Sequence, residues 1–128
     1  MATEPTVATP DQPNIIHMSD EGILEVANPM WADLIKYSNK GQYGKFIRKF
    51  SYNLLFGLNE VEVGKQFTRS ELTRHLDPDY DYLGIIRRGE HVTVLYRIRS
   101  TKKEGEWLGR LVLGYENGEI RIFGASIF

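Results

Sequence analysis

Asn117-Gly118 lies between two segments of alternating apolar and polar residues, and it constrains the fold more than any other pair in the chain. Both residue types accept positive φ, which the two-residue type I′ turn of a β-hairpin demands. Such a turn also fixes register. Counting outward, Glu116 opposes Glu119, Tyr115 opposes Ile120, Leu113 opposes Ile122, Leu111 opposes Gly124, and Trp107 opposes Phe128.

The same period of two runs upstream. Tyr82–Arg87 reads as one strand, Arg88-Gly89-Glu90 as a turn, and His91–Ser100 as a second strand. After a polar loop at Thr101–Gly105 come a third strand, Glu106–Glu116, and a fourth, Glu119–Phe128. Side chains alternate between faces along a strand. One face therefore gathers Val92, Val94, Tyr96, Ile98, Leu111, Leu113 and Tyr115 without a charge, which suits it to cover helices. The other face is mixed. Leu108, Val112, Phe123 and Ile127, with Ala125, make an apolar patch on it. Arg97, Arg99, Arg110 and Arg121 rim that patch, with His91, Thr93 and Leu95 beside them. A monomer rarely leaves such a patch in water. The expectation is a homodimer interface built on Leu108, Arg110, Val112, Arg121, Phe123 and Ile127, with cover by the N-terminal tail as the alternative.

The first half is helical. Asn28-Pro29 is a start signal, and Met30, Trp31, Leu34, Ile35 and Tyr37 follow at helical spacing up to Ser38. Residues 20–27 form a preceding turn kinked at Pro29, and Asn39-Lys40-Gly41 stops the helix. Gln42 to Phe50 reads as a second, amphipathic helix with Lys45, Arg48 and Lys49 outside. Tyr52 to Phe56 reads as a strand and Gly57-Leu58-Asn59 as a bend. Thr68-Arg69-Ser70-Glu71 fits a capping box with Phe67 and Leu72 as its staple, opening a third helix from Arg69 to Leu76. Residues 1–18, with Pro5, Pro10 and Pro13, are expected to be a flexible tail before one α+β domain at 19–128.

The 128 residues suit a single core. No cysteine is present, which excludes disulfides, thiolate metal sites and a cysteine nucleophile. No run approaches the ~20 apolar residues of a membrane span. The start, Met1-Ala2-Thr3-Glu4-Pro5, has no signal-peptide pattern. A cytoplasmic protein with no membrane contact is expected. Six of the 17 acidic residues precede Lys36, and none of the 16 basic residues does, leaving 16 basic against 11 acidic in the remainder. That excess is small for a surface that tracks phosphates, so nucleic acid is not the expected partner.

Three stretches carry the resemblance to a known family: Trp31-Ala32-Asp33-Leu34-Ile35-Lys36-Tyr37, then Gly41-Gln42-Tyr43, then Phe50-Ser51-Tyr52. With the closing hairpin Leu111–Phe123, this order resembles the nuclear-transport-factor-two-like superfamily, which includes ketosteroid-isomerase-like and SnoaL-like (polyketide-cyclase) proteins. The resemblance spans about residues 20–128. It implies a curved sheet wrapped around helices, a cone-shaped cavity, and pairing through the outer sheet face. Many members use an Asp base or an Asp/His pair with tyrosine donors. Enzymes of the family often carry an acid at the start of the first strand, where this chain has Ser51-Tyr52-Asn53.

The expected ligand pocket is apolar and aromatic, made by Trp31, Tyr37, Tyr52, Tyr96, Trp107 and Tyr115. Asp33 and His75 are the candidates for a general base, which must come within hydrogen-bond reach of the substrate. No cofactor or metal is expected. Asp77-Pro78-Asp79-Tyr80-Asp81 lacks the glycine and glutamate of a calcium loop, having Tyr82 and Arg88 instead. His17, His75 and His91 are too scattered for a zinc motif, and Gly41-Gln42-Tyr43-Gly44 reads as a helix break. Three functions fit these residues: a small-molecule-binding or accessory domain acting as a dimer, a SnoaL-like isomerase, cyclase or dehydratase, and a protein-interaction module.

Overall fold

The structure is a computed structural model that describes residues 12–56 and 71–128. The capping box at Thr68–Glu71 and the bend at Gly57–Asn59 lie wholly or mainly outside them. Helices lead and an antiparallel sheet follows, so the chain is of the α+β class. A 3-10 turn at Ile15–His17 precedes α1 (Asp20–Lys40). Among the described residues three short helices come next: α2 (Tyr43–Phe46), α3 (Tyr52–Phe56) and α4 (Glu71–Arg74). The strands are β1 (Asp81–Arg88), β2 (His91–Ile98), β3 (Trp107–Glu116) and β4 (Glu119–Ile127), side by side in sequence order.

α1 begins eight residues before Asn28. Ser19 is its N-cap, its hydroxyl accepting from the Gly22 N–H (3.1 Å), with Asp20 and Glu21 in the positive first turn. Pro29 lies inside the helix without ending it. Proline removes one backbone donor, but Ile23 and Ala27 before it and Trp31, Leu34 and Ile35 after it are buried along one stripe. Asn28 serves the sheet and its surroundings: its carbonyl accepts from the Tyr80 hydroxyl (3.1 Å) and its Oδ1 from the Tyr96 hydroxyl (2.9 Å). Gly41 closes the helix with φ 66°, the left-handed cap that its sequence implies.

The end of α1 is tied to the segment after α4. Asn39 donates to the Leu76 carbonyl and accepts from its N–H, both at 2.8 Å. The buried Ser38 hydroxyl donates to the Thr73 carbonyl.

The expected second helix is only α2, and Ile47–Lys49 are turns. The expected strand at Tyr52–Phe56 is α3. Ser51 is the reason: it is buried, and its hydroxyl and carbonyl accept from the Leu54 and Leu55 N–H groups. Strand-like pairing occurs just earlier. The Lys49 carbonyl accepts from the Ile122 N–H, and the Ser51 N–H donates to the Ile122 carbonyl, each at 2.8 Å. The backbone around Phe50 thus runs parallel beside β4.

Asn117 (φ 52°) and Gly118 (φ 78°) form the turn between β3 and β4, and Tyr115↔Ile120 and Leu113↔Ile122 pair as expected. Beyond Ile122 the register slips. Val112 pairs with Gly124, Leu111 with Ala125 and Gly109 with Ile127, so Phe123 is the extra residue of a β-bulge. A one-residue slip exchanges faces. Ala125 and Ile127 therefore turn inward and pack on the core, a correction to their expected place on the outer face. A second bulge between Tyr82 and Gly84 shifts β1 against β2. Bulges bend the strands that carry them.

The inner face is filled. Val92, Val94, Tyr96, Ile98, Leu111 and Leu113 are each 0% exposed. Trp31 stacks on Tyr96 (5.0 Å between centroids, 15° between planes), and Tyr80 meets Tyr96 edge-on at 5.2 Å. Gly109 makes room for this stack, since a β-carbon there would lie 2.4 Å from a Trp31 ring carbon.

The packed unit also reaches further back than residue 19. Ile15 is fully buried, and Asn14 caps its turn by accepting from the Ile16 N–H. Gln12 docks on the last hairpin: its N–H donates to the Gly118 carbonyl, and its side-chain carbonyl accepts from the Ile120 N–H (2.8 Å). The Tyr115 hydroxyl donates to the Gln12 carbonyl. The expected boundary at 18/19 thus falls inside the structure, because Ile15 supplies core volume that the composition of the tail hides.

Candidate functional site

α1 has a second face besides its core stripe. Pro29, Met30, Asp33 and Tyr37, at helical spacing, look onto a cleft of about 210 Å³ between α1, the segment 45–49 and β4. Its apolar lining is Pro29, Met30, Phe46 and Ile122. Its polar lining is Asp33, Tyr37, Lys45, Arg48 and Lys49. Asp33, Lys45, Arg48 and Lys49 are exposed, and no ion pair among the described residues engages any of them. The Lys45 ammonium lies 5.9 Å from the centre of the Tyr37 ring, and Lys36 stands 5.4 Å from the same centre.

The residues expected to line a pocket are dispersed. Tyr37 lines the cleft. Trp31 and Tyr96 are core, stacked on each other. Tyr52 starts α3 and is 59% exposed, with its N–H donating to a Glu116 carboxylate oxygen. Trp107 and Tyr115 are half-buried at the two ends of β3. The candidate bases are also apart. Asp33 is at the cleft, whereas His75 is half-buried beyond α4, outside the cleft lining, with its carbonyl accepting from the N–H and hydroxyl of Thr101. Among the described residues no cluster of three His, Asp or Glu side chains gathers to hold a metal.

Two residues of this region escaped the sequence reading. Asn28 looked like a helix cap and is a hydrogen-bond hub. Tyr80, within an acidic turn, is half-buried against Tyr96, and burial pushes its hydroxyl above the ordinary tyrosine range. No local pattern in the sequence marks either role, because both depend on β2 lying under α1.

The outer sheet face is the larger feature. Ile86, Thr93, Val112 and Gly124 form one cross-strand row, and Gly84, Leu95, Arg110 and Ser126 form the next. Phe123 lies over Gly114 with its ring edge-on to His91 at 4.8 Å. None of the apolar side chains on this face is buried: Ile86 is 45% exposed and Leu108 36%. Phe128, 64% exposed, lies beneath the Arg110 guanidinium.

The arginines of this face are mostly compensated. Asp81 bonds Arg99 (2.8 Å) and Arg97 (3.5 Å), and Glu106 reaches Arg97 (3.3 Å) and Arg99 (3.8 Å). Arg121 pairs with Glu119 at 3.0 Å. The hydrogen bond from Arg99, with the positive charges beside it, holds the Asp81 carboxyl below its ordinary range.

No protein-family model matches the chain, and no curated protein does. Solved structures similar to it include a SEC-C motif containing protein from Rhodopseudomonas palustris, at 12% identity over 80% of this chain and 89% of that one, with a TM-score of 0.49. An NTF2-like protein of unknown function from Cytophaga hutchinsonii is 13% identical over 79% of this chain and 87% of that one, with a TM-score of 0.43. A de novo designed protein with a curved β-sheet is 19% identical over 83% and 87%, also at 0.43. At these identities and scores the likeness concerns chain layout and says nothing of chemistry. The class defined by the chain's own elements is an α+β domain with helices on one side of a bulged four-stranded antiparallel sheet. No helix among the described residues is long and apolar enough to cross a membrane.

Proposed function

We propose that this chain is a small-molecule-binding domain of the nuclear-transport-factor-two-like type that works as a homodimer. Two copies pair through their outer sheet faces, and the ligand enters the cleft beside α1. The observation that carries the reading is the outer face itself, an apolar centre left unburied on a sheet whose other face is filled. A second copy suits it better than an acidic or basic partner. Arg97, Arg99 and Arg121 already have carboxylates, so two identical faces meet without a large surplus of like charge.

The area is sufficient. Four strands of eight to ten residues at ordinary spacing cover on the order of 500 Å². Two such faces then bury on the order of 1,000 Å², the lower limit for a specific interface. Sedimentation of the full chain should give twice the 14.8 kDa chain mass at micromolar concentration. Val112→Arg should give a monomer with unchanged circular dichroism. A wild-type monomer, or an outer face protected from solvent within a monomer, overturns the pairing.

One observation favours a second reading, acid–base catalysis: Asp33 and Tyr37 share the cleft, one turn apart on α1. It requires that Asp33→Asn abolish turnover of a cleft-bound carbonyl substrate while leaving its binding intact. Unchanged turnover in that variant removes it.

A further inference from the structure

The cleft carries an excess of positive charge beside an apolar wall, and that combination selects a ligand. We infer that it binds a small monocarboxylate with a short apolar body, an inference that rests on the reading of the cleft as the ligand site. Packed at the density of a protein interior, a volume of about 210 Å³ holds roughly ten non-hydrogen atoms. Pro29, Met30, Phe46 and Ile122 offer those atoms an apolar wall.

The rim carries three cations against one carboxylate. Lys45, Arg48 and Lys49 stand at spacings of three and four residues, and their like charges are not neutralised by one another. Elsewhere in the described residues Arg87, Arg97, Arg99 and Arg121 all meet carboxylates. An anion placed among the three rim cations gains attraction that no described side chain supplies. Asp33 limits which anion. Its own charge opposes a dianion more than a monoanion, and it can accept a hydrogen bond from a hydroxyl on the ligand. An amine would have to approach three cations to reach Asp33, and a neutral alcohol would use only the wall.

The test is a titration of the full chain, followed by amide NMR, with phenylacetate, 2-phenylethanol, 2-phenylethylamine and inorganic phosphate. Phenylacetate is expected to shift the amides of Met30, Phe46 and Ile122, and to bind about tenfold more tightly than the alcohol, as two or three exposed charge contacts provide. High salt should erase that preference. The double variant Arg48→Gln with Lys49→Gln should lose it while still binding the alcohol equally well. Asp33→Asn should bind phenylacetate about two- to threefold more tightly, by removal of one like charge.

Equal binding of acid and alcohol overturns the inference, as does a preference for the amine or the absence of shifts at the cleft with every probe. Phosphate binding there as tightly as phenylacetate also overturns it, since the apolar wall would then play no part. The same titration on monomeric Val112→Arg should give the same preference, which separates failure at the cleft from failure of the pairing.

Discussion

On the inner side of the sheet, Val92, Val94, Tyr96, Ile98, Leu111 and Leu113 are sealed from water, and the Tyr96 hydroxyl donates to the Asn28 side-chain carbonyl. On the outer side the same four strands leave Ile86 and Leu108 substantially wet and close their ends with ion pairs. One sheet therefore shows two ways of holding a surface together. Burial of apolar area, about 25 cal/mol per Å², dominates inside. Outside, exposed ion pairs add about 0–1 kcal/mol each, so that face gains little from its own contacts. An outer face held so weakly has stability to gain from a partner, and an inner face held so tightly has none to gain.

Substitutions on the two faces sharpen this contrast, the inner ones having the larger effect. Trp31→Ala removes the ring stacked on Tyr96 and should cost about 3–5 kcal/mol in urea denaturation. Gly109→Ala adds a methyl 2.4 Å from that ring and should cost about 1–3 kcal/mol. In the monomeric Val112→Arg background, Ile86→Ala should change stability by about 0.5 kcal/mol or less. A cost for Ile86→Ala comparable with that of Trp31→Ala would break the comparison, because it would mean that a segment of the same chain covers the outer face.

The contrast was legible in part. Period-two alternation put the right residues of β2 and β3 inside, because side-chain direction follows parity wherever the pairing is regular. Parity failed at Phe123. The cause is spatial: Lys49 and Ser51 capture both backbone groups of Ile122 from the edge. The same long-range pairing explains why Tyr52–Phe56 is helical, since the strand-like residues end at Ser51. Asn28-Pro29 misled for a related reason. Local propensity favours a start there, but burial on both sides carries α1 through the proline. The cleft was legible only in Tyr37 and Asp33. Its cations read as an outer helix face, and only the fold brings them opposite α1.

Alkaline pH offers a subtler probe of the inner face. Burial pushes the Tyr96 hydroxyl far above the ordinary range, reinforced by repulsion from Tyr80 and Tyr82. The folded state thus keeps this proton longer than the unfolded chain does. The associated stability is complete below the unfolded value of about 10 and is lost as pH rises beyond it. Tyr96→Phe should flatten that alkaline loss in thermal melts at graded pH. At neutral pH it should cost about 1 kcal/mol, from the bond to Asn28. A variant as alkali-sensitive as wild type would show that the stacked hydroxyl is not sealed.

Acid pH probes the outer face, and its effect should be the smallest. Asp81 is held below the ordinary carboxylate range chiefly by the hydrogen bond from Arg99, with Arg97 adding attraction. The unfolded chain therefore binds this proton more readily. The stabilisation is complete above the unfolded value of about 4 and fades as pH falls through the lower folded value. Asp81 is exposed enough for water and salt to screen the pair, so Asp81→Asn should shift the midpoint of melting only slightly at neutral pH and make the acid limb shallower. High salt should shrink the difference further. A large, salt-resistant loss in Asp81→Asn would mean that the ion cluster is buried in solution. In that case the cluster sits at the centre of the paired faces instead of their rim, and the two-fold axis passes near Asp81, away from Val112.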